Sequence, residues 1–454
     1  MGDPGAILLV STYELGHQPA GLATPKAFLE RAGFAPAALD LAVEPLDPAR
    51  VAAARLVVLS VPMHTALRLG LAAADRVRAL NPSAALAFHG LYAVLHAPLL
   101  RERGAIAVLG GECEEALVAL ARRLDAGEGP PAVAALARPE RLDYPVPSRA
   151  GLPPPERYAR LATGDGTLRV AGHAEATRGC KHRCRHCPVV PVYGGRFFAV
   201  PVEVVREDVA RQVASGVEHV TFGDPDFLNG PRHALRVAEA LHAAFPALTF
   251  DFTAKVEHLV RQEALLPRLV ACGAVFVVSA VESLSGRVLA VLDKGHSRGD
   301  VVRAFQACRD AGLALRPSLL PFTPWSTLDD YLDLLETFAA RGWVESVDPV
   351  QLSIRLLVPP GSLLLAEPEL RDAPLDPAAL SHAWRHPDPR MDALQAKVAR
   401  VAEEGATSGA APGETFERVR RLALAAAGRP HEHVGAVAAD AGRRSPRLTE
   451  SWFC

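Results

Sequence analysis

Short apolar runs alternate with longer amphipathic stretches along most of residues 5–357. That alternation restricts the chain to α/β architectures assembled from parallel βαβ units. In the first segment AILLVS (6–11), APAALDL (35–41), RLVVLSV (55–61), AALAFHG (84–90) and IAVLGG (106–111) read as buried strands. Between them, PKAFLERAG (25–33) has helical spacing and stops at Gly33, and LRLGLAAADRVRALNP (67–82) stops at Pro82. ECEEALVALARRL (112–124) opens with acidic residues, which suit the positive end of a helix. The expectation is a doubly wound, Rossmann-like domain over 5–125. Residues 126–170 contain GEGPP and GLPPPERY and read as a linker.

A second α/β region begins near His173. Its candidate strands are 173–179, 218–223, 248–254, 275–282, 313–320 and 350–357, with amphipathic stretches between them. These six units recur about every 30 residues, whereas a closed eight-unit barrel needs roughly 250 residues. The reading is an open, partial (β/α)6 TIM-like barrel over 171–360 with right-handed crossovers. Residues 361–454 read as a helical extension ending in a polar tail.

With 454 residues, 49% of them hydrophobic and 22% charged, two or three ordinary globular domains are expected. A formal net charge of −2 offers no basic stripe for nucleic acid. No apolar run approaches the roughly 18 residues of a membrane span. The N-terminus MGDPGAILLV lacks a basic leader, so a cytoplasmic protein is expected. Of seven cysteines, Cys113, Cys272, Cys308 and Cys454 are scattered, while Cys180, Cys184 and Cys187 fall within eight residues. That is no disulfide framework; in a reducing compartment a tight trio reads as metal-binding or catalytic.

The trio lies in Cys180-Lys-His-Arg-Cys184-Arg-His-Cys187, directly after the first barrel strand. Three thiolates on one tight loop can hold three irons of a four-iron cluster and leave one iron open, as a catalytic zinc site keeps one position open. This C-x3-C-x2-C spacing at the end of a first βα strand resembles the signature of the radical S-adenosylmethionine (SAM) superfamily. The resemblance implies a 4Fe–4S cluster, SAM chelated at the open iron, and reductive cleavage to a 5′-deoxyadenosyl radical. It also implies a one-electron reductant such as flavodoxin or ferredoxin, and a small-molecule or peptide substrate. A zinc-stabilised binding protein is one alternative, since His182 and His186 are close by. A zinc ribbon needs a second ligand pair, however, and the other cysteines offer none. The other alternative is an iron–sulfur electron carrier or sensor without SAM chemistry.

Further positions follow from the same resemblance. His186 stands where the family usually has an aromatic residue near the adenine. Gly223-Asp224-Pro225-Asp226 stands where relatives carry a Gly-Gly-Glu-like turn at the amino group of SAM, although a capped strand-to-helix turn explains it equally. Glu282-Ser283, Val288-Leu289 and Lys294-Gly295 resemble the "ESGS…VL…KG" stretch, which implies a SAM contact for Glu282 or Ser283; Ser283 could instead cap a helix. Arg316 is placed to pair with the SAM carboxylate or to form a structural salt bridge. Pro321–Trp325 reads as a structural loop.

The first 125 residues resemble the cobalamin-binding-like domain fused to many radical SAM enzymes. They lack the Asp-x-His-x-x-Gly that supplies a cobalt ligand, and His64 and His89 follow other strands at the ligand face. Cobalamin is therefore left open: the domain binds it without a protein ligand to cobalt, or is vestigial. The end, Leu448-Thr-Glu-Ser-Trp-Phe-Cys454, resembles the tail of a radical SAM group ending in Cys-Cys-Ala-Glu-Pro or Cys-Sec-Ala-Glu-Pro. On that resemblance Cys454 is a candidate catalytic thiol, the first of a vicinal pair interrupted at a selenocysteine codon.

Overall fold

The computed structural model describes residues 1–129, 135–138, 140–429 and 445–450. The first sheet is parallel throughout. Its strands are β1 (Ile7–Ser11), β2 (Ala37–Asp40), β3 (Leu56–Ser60), β4 (Ala85–His89), β5 (Ala107–Gly111) and β6 (Ala135–Arg138), in the order β2-β1-β3-β4-β5-β6. β6 lies inside the stretch read as linker. The connecting helices are α1 (Ala20–Arg31), α2 (Pro48–Ala53), α3 (His64–Leu80), α4 (Leu91–Leu95), α5 (Ala97–Glu102) and α6 (Glu114–Asp125). Every residue of β1 and β3 is buried, as expected of parallel strands covered on both faces. Alternate side chains serve opposite layers. Ile7, Leu9, Leu56 and Val58 join Leu22 and Phe28 of α1. Leu8, Val10, Val57 and Leu59 join Leu67 and Val77 of α3.

The second sheet is a curled half-barrel. β7 (Arg160–Ala162) pairs antiparallel with β8 (Leu168–Ala174), and the segment Arg447–Leu448 adds to the outer edge of β7. From β8 the sheet continues in parallel through β11 (His219–Phe222), β12 (Thr249–Thr253), β13 (Ala274–Glu282) and β14 (Ala314–Leu319). The first barrel strand stops at Ala174. Beyond it β9 (Thr177–Gly179) forms a separate antiparallel pair with β10 (Phe197–Ala199). Helices α7 (Val189–Tyr193), α8 (Val202–Ala214) and α9 (Pro231–Ala244) belong to this half of the chain.

The sixth strand expected at 350–357 is reduced to one parallel bridge, Phe322 to Arg355, preceded by a 3-10 turn at Pro349–Ser353. Pro349 has no N–H for a ladder. Beside it the Gln351 side chain accepts from Leu319 N at 2.9 Å, occupying a donor on the edge of β14.

Outward-facing Phe222, Phe250 and Phe252 stack with Phe227 into an aromatic core beneath the helices. The inner wall is polar. At one level Thr221 sits beside His173 and Asp251, and it donates to Asp251 Oδ1 at 2.6 Å, as His219 Nε2 contacts the same oxygen at 2.8 Å.

The loop after β1 reaches this barrel. His17 stacks on His173 with ring centroids 4.9 Å apart and both rings buried. Burial, and for His17 the neighbouring His173, pushes both imidazoles down to about 3, so both are neutral in the fold. The unfolded chain binds those protons below its ordinary histidine pKa and the fold does not, so stability is lost as pH falls through about 6.5. Replacing His17 with Phe keeps the stack and removes one such proton. We expect the fall in unfolding free energy between pH 6 and 4 to become shallower by about 1.4 kcal/mol per pH unit, read by denaturant titration at each pH.

Candidate functional site

The cysteine loop is suspended between β9 and α7. Gly179 has φ of +73°, and a Cβ there would meet the Tyr193 ring at 2.4 Å and Arg196 O at 2.5 Å, so only glycine admits the chain into the loop. Cys184 is buried and Cys180 and Cys187 are largely so. Cys187 N donates to Cys184 O at 3.1 Å, closing the second half of the loop. Asn229 holds the first half: its Oδ1 accepts from Lys181 N at 3.3 Å and lies 3.6 Å from Cys180 Sγ. Burial pushes the Cys180 thiol up and the Cys187 thiol up to about 12. Such thiols ionise readily only when a metal takes the place of the proton.

The approach to the loop is pinned by the turn after β11. Asp224, 2% exposed, accepts from Ala176 N at 2.9 Å and from the Thr177 hydroxyl at 2.5 Å. Burial raises its carboxyl to about 7. Both oxygens are thus engaged by the chain leading to Cys180, which makes Asp224 an anchor of the loop. Gly223 is required by a close approach, since a Cβ would meet His173 Nε2 at 2.2 Å. Asp226 caps the next turn through Leu228 N. From its other oxygen a row of side chains leads back to the loop. His258 Nδ1 lies 2.8 Å from Asp226 Oδ2, and His258 Nε2 lies 3.1 Å from His182 Nε2. The ligand atoms of these three residues fall within 4.8 Å of one another. The central imidazole, however, spends opposite nitrogens on its two neighbours, an arrangement for orienting His182 rather than for sharing one ion.

Across the loop stands the end of β13. Glu282 has φ of +62°, a strained conformation for a residue with a side chain, at a register shift between β13 and β14. Its Oε1 is 3.1 Å from Lys294 Nζ and 3.3 Å from His186 Nε2. Burial alone would raise this carboxyl, but Lys294 and His186 hold it well below the usual carboxylate range. Lys294, 2% exposed, also lies in the field of Cys184 and Cys187. The structure therefore brings His186, Glu282 and Lys294 to the three cysteines. Two other expected residues are otherwise occupied. Ser283 Oγ accepts from Ser285 N at 3.0 Å, and Arg316, on the inner wall, donates to Asp348 Oδ2 at 2.5 Å. Cys454 lies outside the described residues.

The donor set fits a cluster better than a single zinc ion. Zinc bonds of ~2.3 Å in tetrahedral geometry bring sulfurs to about 3.8 Å apart. Among the described residues, the set of three ligand atoms within 4.8 Å is the His182, Asp226 and His258 row, and the three sulfurs are spread wider. Four neighbours escaped the sequence reading: Asn229, His258, Lys294 as a partner of Glu282, and Arg178. Asn229, His258 and Lys294 are set by contacts within the barrel and Arg178 by Glu112 and Glu114 of the N-terminal domain; the Lys-Gly motif alone pointed at one of them.

Residues 175–343 match the radical SAM superfamily. A tRNA-2-methylthio-N(6)-dimethylallyladenosine synthase of Chlorobium phaeobacteroides is 30% identical over 174 residues, 36% of this chain and 38% of that protein. The hopanoid C-3 methylase of Methylococcus capsulatus is 24% identical over 199 residues, 44% of this chain and 36% of that protein. The chain thus matches less than two fifths of either relative's length. Among solved structures, the cobalamin-dependent SAM radical enzyme OxsB with aqua-cobalamin bound superposes with a TM-score of 0.68 at 15% identity, over 93% of this chain and 71% of that one. The radical SAM methyltransferase TsrM from Kitasatospora setae, with cobalamin and a 4Fe–4S cluster bound, gives 0.58 at 18% identity, over 74% and 72%. At these identities the likeness is one of fold, and it spans both halves of the molecule. Residues 175–343 thus carry the radical SAM match, and the fold of the whole chain, with a doubly wound domain in front of the half-barrel, is like that of OxsB.

Proposed function

We propose that this protein cleaves SAM reductively at a cluster held by Cys180, Cys184 and Cys187 and directs the resulting radical at a small-molecule or peptide substrate. The observation that carries the reading is the three-cysteine loop at the head of the barrel, faced by an ionised glutamate on the fourth parallel strand. When bound, a 4Fe–4S cluster with one iron free of thiolate supplies the electron for SAM cleavage to methionine and a 5′-deoxyadenosyl radical. The chain's own residues do the positioning. Glu282 presents a fixed negative charge suited to the amino group of SAM, and Lys294 and His186 keep it ionised. Gly223, just after β11, is exposed, with His173 packed against its α-carbon. The substrate faces the polar inner wall of the half-barrel, where Thr253 and Ser318 are part-exposed. Arg316 could reach a SAM carboxylate only by leaving Asp348.

Both curated relatives are named for methyl or methylthio transfer, so group transfer is the second reading beside hydrogen abstraction. The electron source is a flavodoxin- or ferredoxin-type reductant. No described helix is long and apolar enough to cross a membrane. We place the protein in the cytoplasm, and its formal net charge of −2 argues against nucleic acid as substrate.

Anaerobically reconstituted protein, mixed with SAM and a strong one-electron reductant, should release 5′-deoxyadenosine; Cys184→Ala should release none. Fully iron-loaded wild type that releases none, with or without candidate substrates, would favour the electron-carrier reading. The anchor is tested separately. Asp224→Ala strands the buried Ala176 N–H and Thr177 hydroxyl, each at about 1–3 kcal/mol. We expect a matching loss in unfolding free energy and fewer irons per chain after reconstitution.

A further inference from the structure

A doubly wound domain takes its ligand outside the carboxyl ends of its strands. In the N-terminal domain that edge carries Ser11, Ser60 and His89, the last residues of β1, β3 and β4, and Glu112 just after β5. These four are 0%, 1%, 6% and 2% exposed. What covers them is the chain itself.

α4 lies flat on the edge: a Cβ on Gly110 would meet Val94 Cγ2 at 2.3 Å. The other side of α4 packs on the helix that follows the cysteine loop. Leu91 and Val94 lie against Val189, Val192 and Tyr193 of α7, in one apolar group with Cys180 and Cys187. Beside this contact, Arg178 crosses from β9 into the N-terminal domain. Its Nη1 is 2.6 Å from Glu114 Oε1 and 3.4 Å from Glu112 Oε2, and its Nε is 3.0 Å from Glu175. The guanidinium lies 5.5 Å from the Tyr144 ring centroid, and the Tyr144 and Tyr193 hydroxyls both donate to Glu112. On the far side Leu380 packs into the core of this domain, and His64 Nε2 lies 2.8 Å from Ala379 O. The edge histidine His89 is shut in as well. Burial and the Arg178 charge push His89 down to about 4, and its Nε2 is sealed from solvent without a hydrogen-bond partner.

These residues do not fit a corrin, which needs a broad open face at the strand ends, whereas here that edge is covered by α4, α7 and Arg178. We infer that the ligand face of the N-terminal domain is occupied by the chain's own Arg178 and α7, and that the domain serves as a clamp on the cysteine loop instead of a cobalamin carrier. Arg178 stands two residues before Cys180, so the charge locked between Glu112 and Glu114 fixes the entry to the loop while α4 fixes its exit. The likeness to OxsB and TsrM is then a shared fold with a different use. The inference rests on packing and holds whether or not SAM is cleaved.

Two measurements on the full chain test it. Reconstituted protein is incubated anaerobically with hydroxocobalamin, desalted, and read for corrin absorbance. Corrin at the level of a control protein is expected; retention near one per chain overturns the inference. The clamp is tested by Arg178→Ala, expected to lose iron several-fold faster to a chelator with an unchanged far-UV spectrum, and by Arg178→Lys, expected to recover part of the retention. As a second variant that leaves the buried charges in place, Tyr144→Phe, which keeps the ring, is followed by hydrogen exchange over residues 177–187. Faster exchange there is expected. Wild-type exchange in Tyr144→Phe, or wild-type iron retention in folded Arg178→Ala, overturns the clamp.

Discussion

Two buried polar side chains pin the five-residue approach to Cys180, and the rest of the site depends on that. Asp224 holds the backbone at Ala176 and the side chain at Thr177, and Arg178 is held from the other side by Glu112 and Glu114. Between them the chain turns through Gly179 into the loop. Without these attachments, three thiols on an eight-residue loop would pay a large ordering entropy before any metal arrived. A buried charge pair contributes little net stability on average, but removing one partner costs about 3–5 kcal/mol because the other is stranded. The approach therefore has one well-defined arrangement, and the sulfurs are presented from it.

The opposite wall follows the same logic. Glu282 sits in a backbone conformation that costs of order 1–3 kcal/mol, and it stays there because Lys294 and His186 hold its carboxylate. Lys294 in turn is buried beside Cys184 and Cys187, so one ammonium offsets negative charge on both sides of the pocket. The acidic group and the sulfur loop are thus not independent features. They share a counter-ion, and its position is set by the turn after the helix that follows β13.

Much of this was legible in the sequence. Alternating apolar runs placed both sheets, because buried parallel strands are short, apolar and bounded by helices. The cysteine spacing located the loop, and the Glu-Ser and Lys-Gly stretches located two of its facing residues. What stayed hidden was long-range. β6 is a four-residue strand in a Pro/Gly-rich segment with no periodic signal of its own. The expected strand at 350–357 has the right hydrophobicity, but Pro349 and the Gln351 side chain close the edge it would have joined. Asp224 read equally as a ligand residue or as part of a capped turn; its pairing with residues 48 and 47 positions earlier, visible only in three dimensions, gives it an anchoring role. Arg178 carries no motif at all, and its partners lie 64 and 66 residues away.

The most direct test of the account is the EPR spectrum of the reduced, anaerobically reconstituted protein with and without SAM, recorded beside its metal content. The account predicts about four irons per chain and a cluster signal that changes when SAM is added, because SAM reaches the iron that no thiolate occupies. Zinc near one per chain, or a full iron complement whose signal is indifferent to SAM, would contradict it.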